Sequence, residues 1–323
     1  MGRRSKYDQL PGLATGVKPK VLLIGNGINL AFEKKASTGK SKKTSTPGIV
    51  MEEWEKHYGF EADDANPIWG LPFPMQITAA TKNHVQGCMT ALARTFKASA
   101  TKADQEKLIK EIIDTPFDTI LSTNYSLEFE KSTIPEYTDR KAMMRYKVTD
   151  TQTTVQHQFG IFQCTELPYG NKPSLWHIHG TALRKNSMVM GHHYYGKLLT
   201  EVTKRADEVN KQYKAAQTRG NTYYPLSWID YFLIGDVYIF GFRLDISESD
   251  IWWLLSYKKS TFTDTNVYLY EPKIKPDKKL LLDCYSVITP SIPIYKNADG
   301  EDNYINYYQR ILGLIKSGNP IGP

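Results

Sequence analysis

Five short apolar runs recur along this chain of 323 residues: Lys20–Gly25 (KVLLIG), Phe117–Leu121 (FDTIL), Leu175–His179 (LWHIH), Val237–Phe240 (VYIF) and Asn266–Tyr270 (NVYLY). Each is too short for a helix and apolar without alternation. That is the signature of strands covered on both faces, and such strands belong to parallel sheets. Segments with apolar residues at spacings of three and four separate them, at His84–Phe96, Lys102–Ile113, Lys197–Gln217, Ser227–Ile234 and Asn303–Ile315. A further helix is expected from about Ser247 through Trp252–Leu255, helical starts at Ile28–Phe32 and Tyr125–Glu130, and helical composition at Met51–Tyr58. Thr151–Leu167 is rich in Thr, Val and Phe and reads as one or two strands off the main sheet.

Strands alternating with helices predict an α/β fold: a mostly parallel, Rossmann-like sheet with helices on both faces and a smaller inserted helical/β region. A single domain is expected over residues 1–323, its core at about 20–290, closed by the C-terminal helix at about 303–315. No apolar run approaches the roughly 20 residues of a membrane helix, and the basic residues Arg3, Arg4 and Lys6 have no apolar stretch behind them. A soluble, cytoplasmic protein without membrane partners is therefore expected. Cys88, Cys164 and Cys284 are too dispersed for a four-thiolate zinc site. Part of the net charge of +7 lies in a Ser/Thr/Gly-rich segment, residues 34–48, that carries Lys34, Lys35, Lys40, Lys42 and Lys43 and is expected to be a mobile loop. Nucleic acid is a less favoured partner for it than a polyanionic nucleotide is for the protein as a whole.

Ligands of open α/β sheets bind beyond the carboxyl ends of the strands. Four such ends here carry polar or glycine-rich turns: Gly25–Asn26–Gly27, Ser122–Thr123–Asn124, His179–Gly180 and Gly241–Phe242–Arg243. The first, with Ile28 and Asn29 opening a helix, offers backbone N–H groups to a pyrophosphate. Leu30 stands where a dehydrogenase fingerprint has its third glycine, and no acidic residue follows at the ribose-binding distance, so hydride transfer is disfavoured. Asn124 can orient a water or a ribose hydroxyl, and the same residue can serve as a plain helix cap. His179 can accept a proton near neutral pH. His177, two residues earlier, is expected on the same face, either packed and hydrogen-bonded or joining His179, His192 and His193 in a metal cluster, the less favoured alternative. Arg243 suits a phosphate or is solvated. Met188–Gly196 walls the pocket or packs, and Trp252–Trp253 reads as core and interface surface.

IGNGIN (Ile24–Asn29), STNYS (Ser122–Ser126), WHIHG (Trp176–Gly180) and FGFRLDISESD (Phe240–Asp250) resemble, in order, the motifs of sirtuin-related (SIR2-like) proteins over roughly Val21–Tyr270. The similarity is to the bacterial phage-defence branch, many members of which destroy NAD, and the abortive-infection AbiH family has a similar layout. The resemblance implies an NAD pocket built from Gly25, Asn26, Gly27, Ile28, Asn29, Thr123, Asn124, Gly241, Phe242 and Arg243, with Asn124 and His179 as catalytic residues. It implies NAD as substrate, no metal, and hydrolysis to nicotinamide and ADP-ribose, gated by assembly into a homo-oligomer or by a protein partner. Transfer of ADP-ribose, deacylation and non-catalytic nucleotide sensing are the alternatives. Three departures from the sirtuin deacylases count against deacylation: Gly25-Asn26-Gly27-Ile28-Asn29 where their first motif resembles GAGIS, Ser126 where their second motif ends in an acid, and the missing zinc cysteines.

Overall fold

The computed structural model describes residues 10–32, 67–81, 85–98, 101–134, 164–167 and 172–322. Among the described residues six strands form one sheet: β1 (Lys20–Ile24), β2 (Thr119–Ser122), β3 (Thr165–Glu166), β4 (Ser174–His177), β5 (Asp236–Phe240) and β6 (Val267–Tyr270). Their spatial order is β3-β4-β2-β1-β5-β6. The five strands from β4 to β6 are parallel, and β3 pairs antiparallel at the edge. The chain moves from β1 outward through β2 to β4, then returns to lay β5 on the other side of β1. That reversal beside β1 opens a crevice at the carboxyl ends of these strands.

Strand alternation sends successive side chains to opposite faces. Val21, Leu23, Leu121, Trp176, Val237, Ile239 and Leu269 face one core, which they share with the helices His192–Arg219, Trp228–Ile234 and Ser249–Thr261. Leu22, Ile24, Ile120, Leu175, Tyr238, Phe240 and Tyr270 face the other, packed by Ala103–Ile113 and Tyr304–Lys316. A third, smaller cluster joins the helices Phe73–Ala80 and Val85–Ala98 to Met188, Met190 and Tyr125. In chain order the helices among the described residues are α1 (Gly27–Leu30), α2 (Phe73–Ala80), α3 (Val85–Ala98), α4 (Ala103–Ile113), α5 (Glu128–Thr133), α6 (His192–Arg219), α7 (Trp228–Ile234), α8 (Ser249–Thr261), α9 (Pro276–Cys284) and α10 (Tyr304–Lys316).

Most expected elements are present with shifted ends, and the shifts have local causes. The FDTIL strand begins at Thr119; Asp118 lies in the bend before it, its carboxylate accepting the Lys20 N–H at 2.7 Å while its own N–H donates to Lys20 O at 2.9 Å. The LWHIH run stops at His177, where the Gly180 N–H returns to the His177 carbonyl at 2.9 Å and closes a turn. Gly180 has φ of 90°, and a Cβ there would stand 2.1 Å from Ser187 O, so only glycine fits. The helix after the first glycine turn is a single turn, α1, shorter than the sequence promised. Two helices, α2 and α9, were not anticipated, although α9 carries its signal, Pro276 at the first position. Of the strands expected within Thr151–Leu167 only β3 falls among the described residues. The basic segment 34–48 and the helix at Met51–Tyr58 lie outside them.

Candidate active site

A cleft of about 1810 Å³ opens where the carboxyl ends of β1, β2, β4 and β5 meet. Asn26 and Gly27 line it from the β1 turn, Thr123 and Asn124 from β2, His179 from the turn after β4, and Gly241, Phe242 and Arg243 from β5. The β1 and β5 turns touch. The Gly27 N–H donates to Gly241 O at 2.7 Å, and a Cβ on Gly27 would lie 2.6 Å from that oxygen. Gly27 therefore serves close approach of two loops, and its N–H is engaged in the fold rather than held out to a pyrophosphate. With α1 only four residues long, little helix dipole adds to the site.

Asn124 is 4% exposed and sits on a polar lattice. Its Nδ2 donates to Glu128 Oε1 at 2.7 Å. A carboxylate only accepts, so the amide nitrogen must face Glu128 and Oδ1 is left for another partner. Asn29 Nδ2 also reaches Glu128 Oε1, at 3.4 Å, while Asn29 Oδ1 accepts from Gln105 at 2.7 Å. Glu128 stands two residues beyond Ser126, in the first turn of α5. Below the lattice, His177 Nδ1 lies 2.8 Å from Asn124 O and Nε2 lies 2.8 Å from Glu130 Oε1. Both neighbours accept, so both ring nitrogens donate and His177 is an imidazolium clamp. Burial opposes that charge, yet Glu130 outweighs it and lifts the pKa to about 8.

His179, 3% exposed, makes separate contacts. Its Nε2 lies 3.1 Å from Asp250 Oδ2 and 3.7 Å from Glu248 Oε2, and its ring meets Tyr195 edge-on at 5.4 Å. The Nε2–H points to Asp250, so Nδ1 carries the lone pair whenever the ring is neutral. Burial again works against the imidazolium, but Asp250 and Glu248 raise its pKa above the ordinary value. Burial pushes the Glu248 carboxyl up to about 7, with His179 acting in the opposite sense and Asp250 adding to the rise. Among the described residues these three form the group able to hold a metal, one donor atom from each lying within 4.8 Å.

The expected site residues divide. Asn26, Gly27, Thr123, Asn124, His179, Gly241, Phe242 and Arg243 share the cleft. Gly25 packs behind it against Phe242 and Thr123, Ile28 belongs to the hydrophobic core, and Asn29 supports Glu128. His177 and His179 face different partners because a turn, not a strand, separates them, and His192 and His193 are exposed at the start of α6. The four-histidine cluster does not form. Met188, Val189 and Met190 are core residues, and Tyr195 alone of that stretch lines the cleft. Sequence reasoning missed Glu128, Glu130, Glu248 and Asp250, although the last two close the fourth motif. Neither a scan against protein-family models nor a search of curated proteins returns a match to this chain.

Proposed function

We propose that this cleft binds NAD and hydrolyses its nicotinamide–ribose bond, yielding nicotinamide and ADP-ribose. The observation that carries the reading is the meeting of Asn124 and His179 in one crevice at the sheet's switch point, each backed by a buried carboxylate. The C–N bond breaks with its electron pair leaving on nicotinamide, which departs neutral and needs no acid. The ribosyl carbon is left oxocarbenium-like, as in other glycosyl cleavages. Asn124 Oδ1, turned outward by Glu128, orients the attacking water or a ribose hydroxyl. Neutral His179, held through Nε2 by Asp250, takes the proton that the water releases. Asp250 supplies negative charge beside the positive charge that develops, and Glu248 joins it as pH rises through about 7.

The motifs that resemble those of SIR2-like proteins support this reading and a role as a gated effector of anti-phage defence, since unregulated NAD hydrolysis would kill the cell that makes it. Incubation of purified protein with NAD, alone and with candidate activating partners, tests it. Free ADP-ribose equal to the nicotinamide released supports hydrolysis. Labelled protein indicates transfer, and binding without turnover indicates a sensor.

A further inference from the structure

At the His179 end the cleft offers acceptors. Asn124 directs its amide nitrogen to Glu128 and keeps Oδ1 free of partners among the described residues. His179 directs Nε2 to Asp250. The two carboxylates beside His179 then differ in access: Asp250 is fully buried, whereas the Glu248 side chain is 16% exposed and lines the cleft. Glu248 Oε2 takes the Tyr195 hydroxyl at 3.4 Å and stands 3.7 Å from His179 Nε2. These are long contacts, and a carboxylate has about four acceptor positions to fill. Asp250 Oδ1, buried and without a partner among the described residues, adds further uncompensated acceptor character.

A phosphate brought to this end would meet like charge. A group carrying several hydroxyl donors would satisfy it. We propose that Glu248 receives the hydroxyls of the ligand's terminal ribose and so fixes which end of a dinucleotide enters beside Asn124 and His179. The assignment rests on the NAD reading above and makes Glu248 a ribose-binding residue. Hydrogen bonds to a carboxylate are among the stronger ones, and the loss of one weakens binding by about tenfold or more.

The experiment is calorimetric titration with ADP-ribose and with ADP, which lacks the terminal ribose, in the presence of EDTA. The wild-type protein should prefer ADP-ribose by roughly tenfold or more, and Glu248→Gln should bind both nucleotides about equally. An ADP-ribose analogue without the terminal 2-hydroxyl should lose several-fold in the wild-type protein, a comparison that needs no variant to fold. An undiminished preference in Glu248→Gln, or no preference in the wild-type protein, overturns the assignment and leaves the NAD reading standing. A preference that exists only with added divalent metal also overturns it, and makes His179, Glu248 and Asp250 a metal site. Failure of both nucleotides to bind removes the NAD reading with it.

Discussion

Glu128 Oε1 lies 2.7 Å from Asn124 Nδ2, and this contact decides which end of the asparagine amide remains for a ligand. Asn29 reaches the same oxygen from α1, just after the β1 turn, so a single carboxylate ties the β1 and β2 ends of the crevice together.

Glu128→Ala removes that acceptor and leaves the Asn124 amide nitrogen without its partner, while Asn29 Nδ2 keeps Asn26 Oδ1 at 3.1 Å. Its expected stability cost is about 1–3 kcal/mol, and nicotinamide release should fall by roughly 10²-fold as Asn124 loses its orientation. Glu128→Gln retains an acceptor and should recover much of the stability. Urea unfolding and turnover on both variants check this, and full activity in Glu128→Ala would detach Glu128 from the site.

The His177–Glu130 clamp makes stability depend on pH in one direction. The folded pKa of about 8 lies above the ordinary histidine value of 6.5, so the clamp's contribution is complete below pH 6.5 and is lost as pH rises through about 8. The difference corresponds to about 2 kcal/mol. Denaturant unfolding at pH 6 and pH 9 should show that loss in the wild-type protein, and His177→Gln should flatten it. Equal pH dependence in the two proteins would contradict the clamp.

The five parallel strands were legible because continuous apolar runs of four to six residues have few ways to be buried other than in a doubly covered sheet. Asn124 and His179 stood out for the converse reason, as polar residues directly after such runs. The carboxylates behind them were not legible. Glu128 and Asp250 fall in the first turns of α5 and α8, where acidic residues are ordinary partners of the helix dipole. Asp250 meets His179 across 71 residues and Glu130 meets His177 across 47, separations that only the folded sheet closes. The expected shared face of His177 and His179 failed on one glycine, since Gly180 ends the strand before His179 is reached.

Asp250 and Glu248 hold the His179 pKa above 6.5, so the base form appears only at higher pH. The pH profile of nicotinamide release should therefore rise with a midpoint above 6.5. Asp250→Asn removes the main carboxylate partner and should move that midpoint downward while lowering the plateau rate. Initial rates across pH 5.5–9.5 provide the check. A midpoint that does not move in Asp250→Asn would break the link between Asp250 and the base.

The central claim is that Asn124 and His179 act on a ligand rather than brace the fold. Nicotinamide release and melting temperature, measured together on Asn124→Ala and His179→Ala, test it most directly. General-base assistance contributes about 10²–10⁴-fold, so each variant should lose at least roughly 10²-fold in release and remain folded. A purely structural role predicts a loss of about 1 kcal/mol in stability with a modest change in rate. Near wild-type NAD cleavage by either variant would contradict the account for that residue.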